Sequence, residues 1–202
     1  MVDEALLSRI ESDVRERLAD RPHRLAHTLG VAACAARLAR SHGLDEACAR
    51  AAGLLHDWEK ASCSGDLVAR ARELGVEMGV DLELVRPLLH GVVAARVLPA
   101  RYPGLPACVL RAVERHTTGA ADMSGLDMAV YVADAIEPGR PETPAVAAMR
   151  AGAETLPLDE LWFRALSSSI AYVVEGGRYL YPPTFDVYDA LAAGRARGEE
   201  GA

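Results

Sequence analysis

The sequence predicts an all-α protein, and three observations support this prediction. Apolar residues recur every three or four positions along most of the chain, which is the spacing of one helix face. The alternation of apolar and polar residues that is typical of a half-buried strand is absent. Half of the 202 residues are apolar, with abundant alanine and only 5% aromatic residues, and this composition favours close-packed helices.

Three helices are predicted in the first part of the chain. The first covers Asp3 to Leu18, where apolar residues share one face at helical spacing. The second begins at Pro22, since proline suits a first helical turn, and runs to about His42 before Gly43. Asp45 begins the third helix, which ends at the doublet His56-Asp57.

Proline or glycine separates the remaining predicted helices. They cover residues 66–74, 88–98, 106–115, 125–136, 143–151, 158–174 and 184–193. We interpret residues 75–81 as a loop over a site and residues 195–202 as a frayed tail. The expected organisation is one domain over residues 1–202, with a core at about 20–140 and a C-terminal helical extension at about 141–195.

Charge and hydropathy exclude several classes of protein. The net charge is −7 and no basic tract occurs, which argues against nucleic acid as a partner. No apolar run approaches the roughly 18 to 20 residues that cross a bilayer, and the charged N-terminus does not resemble a signal peptide. The four cysteines lack metal-binding or redox spacing: Cys34, Cys48, Cys63 and Cys108. We expect a cytoplasmic protein without a membrane partner, in which Cys34 and Cys48 are small core residues.

Six residues of metal-ligand type stand in apolar or glycine-flanked contexts. They are His27, His56, Asp57, His90, His116 and Asp134. Four histidines and two aspartates suit two divalent or trivalent ions with open positions for water. Each histidine taken singly is more often a core or surface residue than a ligand. Asp134 in its apolar helix needs a partner, which could also be Tyr131 or an arginine.

Lys60 follows the doublet by three residues and is the only lysine, because arginine supplies every other basic position. A single retained ammonium beside the doublet indicates a specific task, such as contact with a phosphate. Arg24 and Arg140 are further candidates for phosphate contacts. His23 and Thr117 could hydrogen-bond phosphate oxygens or could equally support helices.

The ordered pattern of His27, His56-Asp57 and Asp134 resembles that of the HD-domain metal-dependent phosphohydrolases. More closely, the chain resembles the YqeK family of symmetrical diadenosine tetraphosphate hydrolases. The matching stretches are His23–Thr28, Leu54–Lys60, Leu88–Gly91, His116–Gly119 and Ala133–Arg140. The chain departs from the family in having Trp58-Glu59 between the doublet and Lys60, where the family has small or aliphatic residues.

The resemblance implies an HD-domain helical bundle with two metal ions, which we expect to be iron, with manganese or another divalent ion as the alternative. His27, His56, Asp57 and Asp134 would hold one ion. His90 and His116, with Asp57 bridging, would hold the other.

The implied reaction cleaves a dinucleoside tetraphosphate symmetrically to two nucleoside diphosphates through a metal-activated hydroxide. Asp57 and Lys60 are the predicted catalytic residues. The predicted substrate-binding residues are His23, Arg24, Lys60, Thr117 and Arg140. The expected partner is this small molecule, and the assembly is left open between a monomer and a homodimer.

Two alternatives remain open at this level. Another HD phosphohydrolase, such as a nucleotidase or a dNTP hydrolase, would use the same ligands. A cyclic-dinucleotide phosphodiesterase is disfavoured because no GYP triplet follows the doublet. A non-catalytic nucleotide-binding protein of the same fold is the second alternative, although every ligand position is filled.

Overall fold

A computed structural model describes residues 1–61 and 66–199 of the chain. Ten α-helices lie in these residues: α1 Glu4–Arg17, α2 Pro22–Ser41, α3 Glu46–Leu55, α4 Leu67–Glu73, α5 Leu89–Arg101, α6 Ala107–Arg115, α7 Gly125–Ile136, α8 Pro144–Gly152, α9 Leu158–Glu175 and α10 Pro182–Glu199. Two short 3₁₀ turns, Trp58–Ala61 and Arg86–Leu88, interrupt the series. The described residues contain no strand, so the all-α prediction is confirmed.

Side chains of the sequence itself begin many of these helices. Asp3, Asp45 and Asp66 each accept a hydrogen bond from a backbone N–H in the first turn of the helix that follows. At the start of α7, Ser124 and Asp127 exchange hydrogen bonds with each other's backbone in a capping box. These caps satisfy N–H groups that have no partner inside the helix.

Two helices, α5 and α10, end more than one residue beyond their predicted ends. The predicted end of α5 at Leu98 is wrong, because the helix continues through Pro99 to Arg101. The ring removes only one helical hydrogen bond. Beyond it, Arg101 and the Tyr102 hydroxyl both donate to Asp13 of α1, at 2.8 and 2.9 Å, and this anchors the helix end.

The second extension is α10, which continues through the predicted tail to Glu199. Arg195 forms an ion pair with Glu160 of α9. Its guanidinium also lies 4.2 Å from the ring centroid of Phe163. These two contacts with α9 explain why the helix does not end at residue 193.

Small residues bring α2 and α3 close together in the main core. A Cβ added to Gly53 of α3 would lie only 2.6 Å from the Cα of Ala32 in α2. Cys34 and Cys48 are buried in this core, as predicted, while Cys63 lies outside the described residues. Because α2 and α3 are this close, His27 on α2 lies near His56 and Asp57, which follow the end of α3.

The predicted loop at residues 75–81 is confirmed as irregular, and it packs on a second, smaller apolar cluster. Val76 is buried there beside Val68 of α4 and Leu89 of α5. The Tyr181 hydroxyl donates to the Met78 carbonyl at 3.0 Å and ties the loop to the start of α10. Among the helices of the described ranges, none is both long and apolar enough to span a bilayer.

Gly53→Ala and Gly194→Ala should change stability in opposite directions. The new methyl at residue 53 meets backbone atoms of α2, so we expect a loss of about 1 to 3 kcal/mol. Gly194 lies in α10 with open space around it, so alanine there should add up to about 1 kcal/mol through helix propensity. Urea unfolding followed by circular dichroism measures the free energy of unfolding of each variant. Equal changes in the two variants would contradict the close approach of α3 to α2 at Gly53.

Candidate metal centre

The structure brings all six predicted metal ligands together. His27 lies on α2, His56 and Asp57 follow the end of α3, His90 lies in the first turn of α5, His116 follows α6, and Asp134 lies in the last turns of α7. Two groups within this set have ligand atoms within 4.8 Å of one another: His27, His56 and Asp134, and His56, Asp57 and His116. Because five helices contribute, the site can form only when these helices are packed.

The first group surrounds His27. Its Nε2 atom lies 3.2 Å from Oδ1 of Asp134 and 3.3 Å from Nε2 of His56. His56 Nε2 lies 3.9 Å from the same Asp134 oxygen. The three donor atoms therefore face one another across a space that a single ion could fill.

The second group surrounds Asp57. Its Oδ1 atom lies 3.2 Å from His90 Nε2, 3.5 Å from His56 Nε2 and 3.8 Å from His116 Nε2. The other oxygen, Oδ2, lies 3.9 Å from His27 Nε2. One carboxylate oxygen thus faces His90 and His116 while the other faces His27, as a bridging carboxylate requires.

Three of the histidines are oriented by carbonyl groups. The Nδ1 atom contacts the carbonyl oxygen three residues earlier in each case: Gly53 for His56 at 2.7 Å, Pro87 for His90 at 2.9 Å, and Val113 for His116 at 2.6 Å. A carbonyl oxygen can only accept, so Nδ1 carries the proton and Nε2 keeps its lone pair. Carbonyls near the ends of α3 and α6 are free for this contact, because the last carbonyls of a helix lack intrahelical partners.

His27 is oriented by a carboxylate instead. Its Nδ1 atom lies 3.1 Å from Oε1 of Glu137, which is almost fully buried. A Cβ added to Gly30 would lie 2.6 Å from Oε2 of Glu137, so glycine leaves the space for this side chain. A carboxylate behind a ligand histidine fixes its tautomer and raises its basicity toward a metal.

Glycine also permits the approach of His90 to His116. A Cβ added to Gly91 would lie 2.7 Å from the Val113 carbonyl oxygen and 3.0 Å from the His116 ring. Val113 is the residue whose carbonyl orients His116. A larger residue at position 91 would therefore displace both the α5–α6 contact and a predicted ligand.

The donor atoms fit a metal ion. His90 Nε2 and His116 Nε2 lie 2.9 Å apart, and both carry lone pairs because their Nδ1 atoms hold the protons. Two facing lone pairs repel each other unless a cation lies between them. Nitrogens bound to one ion at about 2.1 Å and at a right angle are about 3 Å apart, which matches this pair.

Burial keeps two of the histidines neutral. It lowers the pKa of His56 to about 4 and that of His90 to about 4, because the charged imidazolium loses its hydration. For His27 burial acts in the same direction, but the hydrogen bonds to Asp134 and Glu137 outweigh it and raise its pKa. Neutral imidazoles are the form that binds metal ions.

The two aspartates remain ionised. Burial raises the pKa of Asp57, but the surrounding histidines and Lys60 outweigh burial and hold the pKa well below its usual range. The same opposition, with His27 and Arg140 among the stabilising groups, lowers the pKa of Asp134. The centre therefore presents two ionised carboxylates together with the neutral imidazoles of His56 and His90, and these are the forms of both groups that bind metal ions.

Three cations contact these carboxylates. Arg24 Nη1 donates to Asp57 Oδ2 at 2.9 Å, and Lys60 Nζ lies 2.9 Å from Asp57 Oδ1. Arg140 pairs with Asp134 Oδ1 and donates from Nε to the Asp134 carbonyl at 2.7 Å. The arginine considered from the sequence as a partner for Asp134 is thus present, beside the histidines that could share a metal with it.

The residues that depart from the family pattern support the turn that carries Lys60. Trp58 packs edge-on against Tyr102, and the Arg17 guanidinium lies 4.6 Å from the Trp58 ring centroid. Glu59 is buried and pairs with Arg70 of α4 at 3.2 Å. The Trp58–Ala61 turn is therefore held by α1, α4 and the end of α5 while Lys60 reaches Asp57.

An open cleft of about 600 Å³ leads to the centre. Among the described residues, its lining is formed by Asp20, Arg21, Pro22, His23, Arg24, His27, Asp57, Lys60 and Arg140. Four of the five predicted substrate-binding residues are among them. The fifth, Thr117, is not, and its buried Oγ1 atom has no hydrogen-bond partner among the described residues. The loop at residues 75–81 does not line this cleft.

Sequence reasoning missed three contributors: Arg21 and Asp20 in the cleft, and Glu137 behind His27. Glu137 was part of a recognised stretch but received no role. Its spacing of three residues from Asp134 places both near one face at the end of α7, and this signal could have identified it. Arg21 and Asp20 stand in the break before α2 and have no such signal.

Comparison with known proteins decides the family. The sequence profile of the HD domain matches residues 24–139, which include all six predicted ligands. The chain belongs to the HD-domain family. Its fold agrees with the crystal structure of a protein from Clostridium acetobutylicum that is described as a predicted HD-superfamily hydrolase involved in NAD metabolism. The TM-score is 0.80, and the two are 30% identical over 92% of this chain and 96% of that one.

Two curated relatives carry the same name. The symmetrical bis(5'-nucleosyl)-tetraphosphatase of Halalkalibacterium halodurans is 31% identical over 84% of this HD-domain chain and 89% of its own length. That of Bacillus subtilis is 29% identical over 90% of this chain and 95% of its own length. The similarity extends over most of this chain, beyond the residues matched by the HD-domain profile.

Glu137→Gln should weaken metal binding without unfolding the protein. The amide keeps the shape of the side chain but removes the charge behind His27, and such changes cost about 10- to 100-fold in metal affinity. Titration of the metal-free protein with Mn²⁺ measures this loss. The matched control is Glu154→Gln, since Glu154 is exposed and 4.0 Å from Arg37. An affinity of Glu137→Gln within twofold of the control would contradict the role of Glu137.

Proposed function

We propose that this HD-domain protein hydrolyses dinucleoside tetraphosphates, such as diadenosine tetraphosphate, symmetrically to two nucleoside diphosphates with the help of bound metal ions. The observation that carries this proposal is the convergence of four histidine Nε2 atoms and two carboxylates at the end of an open cleft. The choice of substrate is supported by the names of the relatives that align over most of the chain.

The proposed cofactor is a pair of iron ions, with manganese or another divalent ion as the alternative. His27, His56, Asp57 and Asp134 would hold one ion, and His90 and His116 with Asp57 would hold the other. Such ions supply Lewis acidity that lowers the pKa of water and offsets phosphate charge. The split contacts of the two Asp57 oxygens support a bridging role for this carboxylate.

The charges of the site are balanced before any metal or substrate binds. Three cations, those of Arg24, Lys60 and Arg140, contact the carboxylates of Asp57 and Asp134. A third carboxylate, that of Glu137, lies behind His27. The positive charge of bound metals is then available to the phosphates of the substrate. This local balance of charge would allow a protein of net charge −7 to bind a polyanion.

Arg24, Lys60 and Arg140 would also bind and orient the phosphates. Each side chain is about one third exposed, at 36%, 35% and 40%, and each lines the cleft. A carboxylate oxygen has two lone pairs, so Asp57 can keep its contacts with Arg24 and Lys60 while it holds metal. The cations are thereby held at the place where charge develops on the transferring phosphoryl group. His23 and Thr117 remain proposals for weaker contacts.

Asp57→Ala and Lys60→Ala should separate metal binding from turnover. Removing the Asp57 carboxylate deletes the proposed bridge, so metal content and activity should both be lost. Removing the Lys60 ammonium deletes a proposed phosphate contact and an ion pair with Asp57, but it leaves all six predicted metal ligands in place. Metal should therefore stay bound while kcat falls about 100- to 1,000-fold. Elemental analysis and steady-state kinetics on the same samples measure the two quantities.

Asp159→Ala is the control for Asp57→Ala, because Asp159 is exposed on α9. Lys60→Arg is the conservative partner of Lys60→Ala and should restore part of the rate. Full metal content and full rate in Asp57→Ala would show that the proposed metal centre is wrong.

A substrate panel tests the reaction itself. Diadenosine tetraphosphate should yield ADP as the only nucleotide product, while nucleoside mono- and triphosphates and NAD should be hydrolysed far more slowly. NAD belongs in the panel because the solved HD-superfamily hydrolase is described as involved in NAD metabolism. Hydrolysis of a mononucleotide with diadenosine tetraphosphate untouched would favour another HD phosphohydrolase. AMP and ATP as products would exclude symmetrical cleavage.

We also propose the cytoplasm as the location. Cys34, Cys48 and Cys108 are free, which fits a reducing compartment. The assembly as a monomer or homodimer, and the absence of nucleic acid as a partner, remain predictions.

A further inference from the structure

We propose that Arg150, a residue of α8, is a positioning residue for the metal centre. This inference rests on the proposed function, because it concerns the same metal ligands. Arg150 contacts neither the cleft nor any ligand side chain, and instead holds the turn that connects α7 to residue 140. Two side chains of this turn, Glu137 and Arg140, contact the predicted ligands.

The Arg150 guanidinium holds the turn through three backbone carbonyls. Its Nε atom donates to the Ile136 carbonyl at 2.9 Å. Its Nη2 atom donates to the carbonyls of Glu137 at 2.7 Å and Arg140 at 3.1 Å. Nη1 donates to the exposed Glu142 carboxylate at 3.1 Å. One side chain, itself 24% exposed, therefore spans the whole turn.

This arrangement suits arginine in particular. The last carbonyls of a helix have no intrahelical partner, and a cation there also interacts favourably with the helix dipole. The guanidinium presents five donors in a rigid plane, so it can serve several carbonyls at once. A lysine at position 150 would keep the charge but could not reproduce the planar fork.

The turn positions two carboxylates that contact His27, those of Glu137 and Asp134. Glu137 uses one oxygen for His27 Nδ1 and the other for the Gly139 N–H at 2.6 Å. Arg140 Nε donates a hydrogen bond to the Asp134 carbonyl at 2.7 Å. If the carbonyls of the turn lost Arg150, Glu137 would no longer be fixed behind His27, and the metal would lose a preorganised ligand.

Helix α8 thereby contributes to the metal centre from outside the matched domain. The HD-domain profile ends at residue 139, whereas Arg150 lies eleven residues beyond it on α8. α8 also packs on α7 and α9, and Met149, which precedes Arg150, is buried in the main core. This packing fixes the position from which Arg150 reaches the turn. The metal centre of this chain would then depend on a helix outside the matched domain.

The test compares Arg150→Met with Arg164→Met in Mn²⁺ titrations of the metal-free full-length protein. Arg164 is a matched control because it lies on α9 and makes one exposed ion pair with Glu160. We expect Arg150→Met to bind Mn²⁺ about tenfold more weakly than the wild type, and Arg164→Met to bind it equally well. Arg150→Lys should fall between the wild type and Arg150→Met.

The dissociation constant for Mn²⁺ distinguishes a positioning role of Arg150 from a contribution to the stability of the fold. A purely structural contribution of Arg150 would lower the melting temperature and leave the Mn²⁺ affinity of the folded protein unchanged. Affinity within twofold of the wild type in a folded Arg150→Met protein would overturn the inference. If Arg150→Met does not fold, the same criterion applies to Arg150→Lys. A wild-type protein that binds no metal would instead refute the proposed function.

Discussion

The Asp57 carboxylate makes the contacts on which the rest of the centre depends. It is almost fully buried, and its two oxygens meet His90 on one side and Arg24 on the other, at 3.2 and 2.9 Å, with Lys60 also at 2.9 Å. An ionised carboxylate at such a position is stable only when cations or metals compensate its lost hydration. The helices that surround Asp57 therefore have to place cationic side chains and imidazole nitrogens next to its carboxylate.

Backbone groups help to position the histidines around Asp57. Free carbonyls near helix ends fix the rings of His56 and His116, and glycine at position 91 lets α5 approach the end of α6. The predicted ligands consequently lie at helix ends and close helix crossings, where backbone groups lack partners and small residues permit contact. This explains why a metal centre can be assembled from helices without a dedicated binding loop.

Much of the fold was predictable because its determinants are local. The caps of α1, α3 and α7 and the apolar periodicity identify these helices within a residue or two. The ends of α5 and α10 were not predictable, since tertiary contacts of Tyr102 and Arg195 decide them. Local signals favoured a stop at Pro99 and a frayed tail, and packing overrode both.

Part of the candidate site was predictable from the sequence, and part of it was not. The ligand types and their order are visible in the sequence, and the structure brings those residues together. The spacing of Glu137 from Asp134 suggests a place near the site, but its contact with His27 joins segments that are distant in the sequence. The contact of Arg150 with the turn after α7 likewise depends on tertiary packing, and no sequence spacing indicates it. Thr117 illustrates the converse, because it stands in a recognised stretch but does not line the cleft.

We propose that two metal ions held around Asp57 enable symmetrical cleavage of a dinucleoside tetraphosphate. The most direct measurement is an anaerobic titration of the metal-free protein with iron(II), in which ADP formation from diadenosine tetraphosphate is followed at each addition. We predict that the rate saturates at two equivalents of metal per chain, with ADP as the only product. Saturation at one equivalent, or the appearance of AMP and ATP, would contradict this account.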